Sequence, residues 1–177
     1  MLTLWDLIEP VVKVFRSGQS IPAARRAPRR RPTTTPRHVP GRGVRERYEA
    51  VARELLATHG IRVRKWRRSS SGVAVVLTYR DGSVRKYIEC PRPRGPMSMA
   101  IFLHEVGHHV IGVGTVSPRC LEELRAWQFA IAEMERRGLN ITQAVRRRMD
   151  RSLRYAVGKA ARRGIQSLPP ELRAYAA

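Results

Sequence analysis

The sequence predicts an α+β domain with a small, antiparallel-containing sheet and basic extensions, and three observations carry that prediction. An apolar helical face runs through residues 44–59, three short β-rich runs follow it, and two further helix-like stretches come after the sheet. At 177 residues the chain suits one compact domain plus extensions.

Residues 1–16 form an amphipathic element broken near Pro10, whose Leu4, Trp5, Ile8, Val11, Val12 and Phe15 suit docking on a partner, a membrane surface or the domain itself. Residues 17–43 read as a disordered basic linker, because residues 25–47 hold nine arginines against one acid and are interrupted by Pro28, Pro32, Pro36 and Pro40. The folded domain is expected over 44–164. Val44, Tyr48, Val51, Leu55 and Leu56 share one helical face, Glu49 is placed to pair with Arg53, and Gly60 supplies the stop. Ile61–Trp66, Val73–Tyr79 and Ser83–Glu89 read as strands, with Asp81-Gly82 as the tight turn of a hairpin. Cys90–Pro96, with three prolines, ends the sheet and is expected to shape one wall of a cleft. A nearly apolar helix then stops at Gly112 or Gly114, and a second opens at Pro118 or Arg119 and runs to Arg137. A third starts at Thr142, with Val145, Met149, Leu153, Tyr155 and Val157 as apolar positions, and residues 165–177 read as a surface tail.

The chemistry is concentrated in His104-Glu105-Val106-Gly107-His108. Two histidines four apart share one helix face, so both imidazoles can reach one metal ion. Glu105 sits about 100° further round the helix, where its carboxylate can deprotonate a water activated by that ion. With five histidines and eleven glutamates, chance placement gives the pattern in roughly one such chain in a hundred. The neighbours Met99, Ala100, Leu103, Val106, Val110 and Ile111 are apolar, so these three polar groups would be costly to bury without a strong partner.

A catalytic zinc site takes a third protein ligand and an open position. The metzincin arrangement is excluded by residue type, because its third histidine would fall on Gly114 and its glycine on Ile111. Glu122 and Glu123 open the next helix and are the candidates. Here the chain, over residues 44–137, resembles the ImmA/IrrE-like branch of small gluzincins, in which an apolar H-E-x-G-H helix is followed by E-x-x-A-[DN]-x-F-A; the counterpart is Glu123-Leu-Arg-Ala126-Trp127-Gln-Phe129-Ala130. The resemblance implies a minimal zincin-like fold, Zn²⁺ held by His104, His108 and Glu123, Glu105 as catalytic base, and a protein or peptide substrate laid along an edge strand beside the metal. It further implies regulated cleavage of a DNA-bound repressor. Trp127 departs from the pattern where relatives carry a residue able to orient a metal-bound histidine. His109, Tyr87 and Tyr155 are the available types for stabilising the oxyanion.

With 35 basic against 14 acidic residues, the net charge of +21 points to a polyanionic partner. Arg25, Arg26, Arg29, Arg30 and Arg31 in the linker and Arg146, Arg147 and Arg148 in the last helix are the nucleic-acid-binding candidates. Two cysteines, Cys90 and Cys120, are too few for a disulfide framework; two reduced thiols are expected, with one bridge or a contact of Cys120 with the metal as alternatives. Asp6 and Glu9 interrupt any signal-peptide pattern, and no apolar run reaches membrane-spanning length. A cytoplasmic or nucleoid-associated zinc peptidase is the expectation. The alternative is a non-catalytic component of a phage or nucleoprotein particle whose basic arm binds RNA or DNA.

Overall fold

The structure is a computed structural model that describes residues 11–15 and 42–176. Its elements are strand β1 (Val11–Phe15), helix α1 (Arg42–Thr58), strands β2 (Ile61–Arg67), β3 (Val73–Thr78) and β4 (Val84–Pro91), and helices α2 (Pro96–Ile111), α3 (Arg119–Arg136) and α4 (Gln143–Arg162). A 3-10 turn at Pro170–Tyr175 ends the chain. The α+β class is as the sequence predicts.

The sheet has the order β1-β3-β4-β2. β3 and β4 form the expected antiparallel hairpin, in which Tyr79 N–H donates to the Ser83 carbonyl at 2.9 Å and Gly82 takes φ +79 at the turn. β2 instead pairs with β4 in parallel. The link 68–72 must therefore step over the end of β4, a distance of about 10 Å for two strand spacings. Arg67 pins this link: it bridges Glu89 at 2.9 Å and donates to Ser71 Oγ at 3.2 Å, while Ser69 and Ser71 hydroxyls meet at 2.7 Å.

β1 pairs antiparallel with β3, so this part of the amphipathic N-terminal element lies on the domain's own sheet. β3 is thereby flanked by β4 and β1, and the outer strands of the sheet among the described residues are β1 and β2. Leu4, Trp5, Ile8 and the linker arginines Arg25, Arg26, Arg29, Arg30 and Arg31 lie outside the described residues.

Helix α2 packs on β4 and β3 with one face and on α3 with the other, while α1 covers α2 and β2. Met99 to His109 are all buried, which is why this helix is apolar on every side. Gly112, at φ +98, ends it, since few other residues adopt that backbone. Thr142 caps α4, accepting from Val145 N–H at 3.3 Å. In α1 the expected Glu49–Arg53 pair gives way to Glu49–Arg92 at 3.0 Å, because the loop after β4 brings a guanidinium across the helix. Arg137 anchors α1 to the end of α3 through two bonds to Glu54, at 2.8 and 2.7 Å.

The tail is exposed over most of its length but is anchored at one point. Leu172 is fully buried, and the turn packs on α4 and α3 with Glu171 bridged to Arg125 at 3.1 Å. One apolar anchor of this size contributes about 1.5–3 kcal/mol on burial, enough to hold a short segment. Among the described residues, no helix is long and apolar enough to cross a membrane.

Candidate metal centre

The centre forms where α2 crosses α3, and Gly107 sets how closely they cross. A Cβ there would meet the Ala126 carbonyl oxygen at 2.9 Å and the Phe129 ring at 3.1 Å. The missing side chain lets the first turns of α3 reach the histidine face of α2. His104, His108 and Glu123 are all buried, and one donor atom from each lies within 4.8 Å of the others. His104 Nε2 is 3.3 Å from Glu123 Oε2, and His108 Nε2 is 3.9 Å from the same oxygen.

Glu122 does something else. Its Oε1 accepts from His108 Nδ1–H at 2.9 Å, and its Oε2 accepts from the Gly114 backbone N–H at 3.1 Å. That bond fixes the His108 tautomer and leaves Nε2 turned toward Glu123, the support that metal-ligating histidines need. Of the two candidate carboxylates, Glu123 stands with the histidine donors and Glu122 stands behind them.

His104 is held differently. Trp127 lies against its ring, with centroids 4.5 Å apart and planes inclined by 30°. Among the described residues, His104 Nδ1 and the Trp127 indole N–H have no hydrogen-bond partner. Trp127 thus positions the imidazole by packing rather than by a bond. Arg119 donates to Glu123 Oε1 at 3.3 Å and steadies the carboxylate from the side away from the histidines.

The chain was compared with protein-family profiles, with curated proteins and with solved structures, and it matches none of them.

The donor set itself fits a divalent cation. Burial pushes His104 down to about 4 against the raising contact with Glu123, so its imidazole is neutral near pH 7. Burial opposes ionisation of Glu123, but His104, His108 and Arg119 outweigh it and hold the carboxyl below its usual range. Two imidazoles and one carboxylate, drawn together in a buried site, are the ligand types such an ion takes.

Glu105 is buried beside this trio, and Gly72, delivered by the pinned 68–72 link, makes room for it. A Cβ at Gly72 would collide with the Glu105 carboxylate. Nothing in the sequence marks this glycine except its place between a serine run and a strand. Both residues line a cleft of about 210 Å³ together with His104, Glu123, Trp127 and one face of α4. The walls come from Ser117–Cys120 and α4. Pro91, Gly95 and Pro96 of the expected wall line a separate shallow depression instead, because they stand at the opposite end of α2 from its last turn.

Of the three oxyanion candidates, Tyr155 lines the cleft. His109 is turned away: its Nε2–H donates to the Tyr87 carbonyl of β4 at 2.9 Å, and burial lowers its pKa to about 4. It is neither a cap nor a surface residue. Tyr87 is half-buried on the sheet. The arginine run 146–148 divides, with Arg146 and Arg147 exposed and Arg148 half-buried in the cleft, its Nη2 donating to the Ser70 carbonyl at 2.9 Å. Helical rotation of about 100° per residue separates neighbours that the sequence groups together. Cys90 and Cys120 are both free and buried, and neither belongs to the donor trio.

Proposed function

We propose that the chain is a zinc-dependent endopeptidase of the gluzincin type, similar to the ImmA/IrrE-like branch. The observation that carries this is the buried trio His104, His108 and Glu123, of which His104 and Glu123 line one cleft together with Glu105, itself packed on Gly72. His104, His108 and Glu123 would hold the ion, which when bound supplies Lewis acidity for the scissile carbonyl and a more acidic water. Glu105 takes the proton of the attacking water on its carboxylate and passes it to the leaving amine nitrogen. Glu122 keeps His108 in the ligating tautomer, and the apolar packing of Trp127 excludes solvent around His104.

The test is zinc content after stripping and reconstitution, together with hydrolysis of a denatured protein substrate. Wild type should take up stoichiometric zinc, Glu123→Ala should lose it, and Glu105→Gln should keep it while losing about 10²–10⁴-fold in hydrolysis. A correctly folded wild type that takes up no zinc overturns the proposal.

The net charge of +21 supports electrostatic association with nucleic acid, with Arg146 and Arg147 on the exposed face of α4. Such binding is phosphate-driven, so it should weaken steeply as salt rises; an affinity for DNA or RNA that ignores salt would refute it. The same charge favours a second reading, a zincin-fold assembly component without proteolysis. In that case Glu105→Gln would change nothing.

A further inference from the structure

The cleft is lined on one side by a single face of α4. Arg148 and Lys159 belong to it, Arg163 caps its end, and all three line the cleft at helical spacing. Among the described residues, none of these three forms an ion pair with a carboxylate. Arg148 is the most telling of them. It is half-buried, it donates to the Ser70 carbonyl, and its buried Nε–H has no acceptor among the described residues. The charge of Glu105 acts on it across the cleft, but no carboxylate among the described residues lies in ion-pair contact with it. A half-buried guanidinium without such contact is costly, and a planar fork of donors matches a carboxylate in two-point contact. The opposite wall holds Trp127 and Ile101, apolar surface that suits side chains rather than a sugar-phosphate backbone.

We propose that the cleft selects an anionic polypeptide segment. Arg148 receives a carboxylate next to the bond facing Glu105, and Lys159 and Arg163 receive acidic side chains further along. The spacing follows from helix geometry: Arg148 to Lys159 spans about 16 Å and Arg148 to Arg163 about 22 Å at 1.5 Å per residue. An extended chain advances about 3.3 Å per residue, so the distal acids sit about five to seven residues from the proximal one. The outer face of the same helix, with Arg146 and Arg147, is left for a different anion. The proposal rests on the peptidase reading for the fate of the bound segment, but recognition itself is separable from it.

The experiment measures binding by the full chain carrying Glu105→Gln, using fluorescence anisotropy at near-physiological salt. The probes are two labelled peptides of twelve or so residues, one with acids at the proximal and distal positions and one with Gln and Asn in their place. The acidic peptide should bind about tenfold tighter. Lys159→Glu with Arg163→Glu should remove that preference, whereas Arg162→Glu, on the same turn but outside the cleft, should leave it. Both reversed residues are solvent-accessible, so the outcome does not depend on whether Arg148→Gln folds. Equal affinity for the two peptides overturns the proposal, as does equal loss in Arg162→Glu. Displacement of the acidic peptide by a single-stranded oligonucleotide, with the Lys159 and Arg163 reversals abolishing both, also overturns it in favour of a nucleic-acid cleft. If wild type neither takes up zinc nor hydrolyses the acidic peptide while the preference persists, the peptidase reading fails and the anionic-peptide site stands.

Discussion

His104 and His108 come from the same motif and the same helix face, yet the protein holds them by unlike means. His108 is tied through Nδ1 to Glu122, which is itself tied to the Gly114 backbone. His104 has the Trp127 ring against it and no hydrogen bond at Nδ1. A hydrogen bond to a carboxylate fixes both orientation and tautomer and raises the basicity of the ligating nitrogen. Packing fixes orientation alone. The candidate centre is therefore anchored electrostatically at one histidine and sterically at the other, and the two should respond differently to mutation and to pH.

Removing the electrostatic anchor should have the larger effect. Glu122→Ala removes the acceptor from the buried His108 Nδ1–H and from the Gly114 N–H, and breaks a pair whose side chains are almost wholly inaccessible. Breaking a buried pair of this kind costs about 3–5 kcal/mol. Loss of an orienting partner costs about 10–100-fold in metal affinity. Glu122→Gln, which retains a carbonyl acceptor, should recover most of the stability and part of the affinity. Chemical unfolding and a chelator competition would read both, and an alanine variant with wild-type zinc affinity would break the contrast between the two histidines.

Acid and base should separate them next, in the metal-free protein. Burial lowers His104 to about 4, so the stability it contributes is complete above the unfolded value near 6.5 and is lost as pH falls from there to about 4. The size of that loss is about 3 kcal/mol. For His108 burial acts downward as well, but the Glu122 hydrogen bond and the charges of Glu123 and Glu105 overcome it and raise the pKa. Its contribution is thus complete below the unfolded value and fades as pH rises through the folded one. His109, also lowered to about 4 by burial against the Tyr87 carbonyl, adds to the acid limb. Urea midpoints across pH 4–9 should show the alkaline limb flatten in Glu122→Gln and the acid limb persist. Identical limbs in both proteins would show that Glu122 does not set the charge of His108.

What the sequence revealed divides along the same line between local pattern and tertiary contact. The motif helix, the hairpin and the start of α4 rest on periodicity, turn residues and a capping threonine, all of them local signals. The placing of two histidines on one face of α2 was legible for the same reason. Roles on α3 were harder, because Glu122 and Glu123 are adjacent and only the close approach at Gly107 decides which faces the donors. Gly72 and Arg148 were hidden for a further reason: one acts through a contact with Glu105 across the fold, and the other looks like its two exposed neighbours. Leu172 likewise gains its importance from a pocket formed by distant helices.

Trp127→Phe should have the smallest effect, and it tests the steric half of the contrast. Phenylalanine keeps a flat ring in reach of His104 and gives up only the outer part of the indole, including an N–H that has no acceptor among the described residues. Leaving a buried donor unsatisfied is itself unfavourable, so its removal offsets some of the lost packing. A net loss of about 1 kcal/mol in stability and only a few-fold in metal affinity is expected, with the pH limbs unchanged. A tenfold or greater loss of affinity in Trp127→Phe, matching that of Glu122→Ala, would mean that the indole does more than pack. The two histidines would then be held with equal strength, one by a carboxylate and the other by an aromatic face.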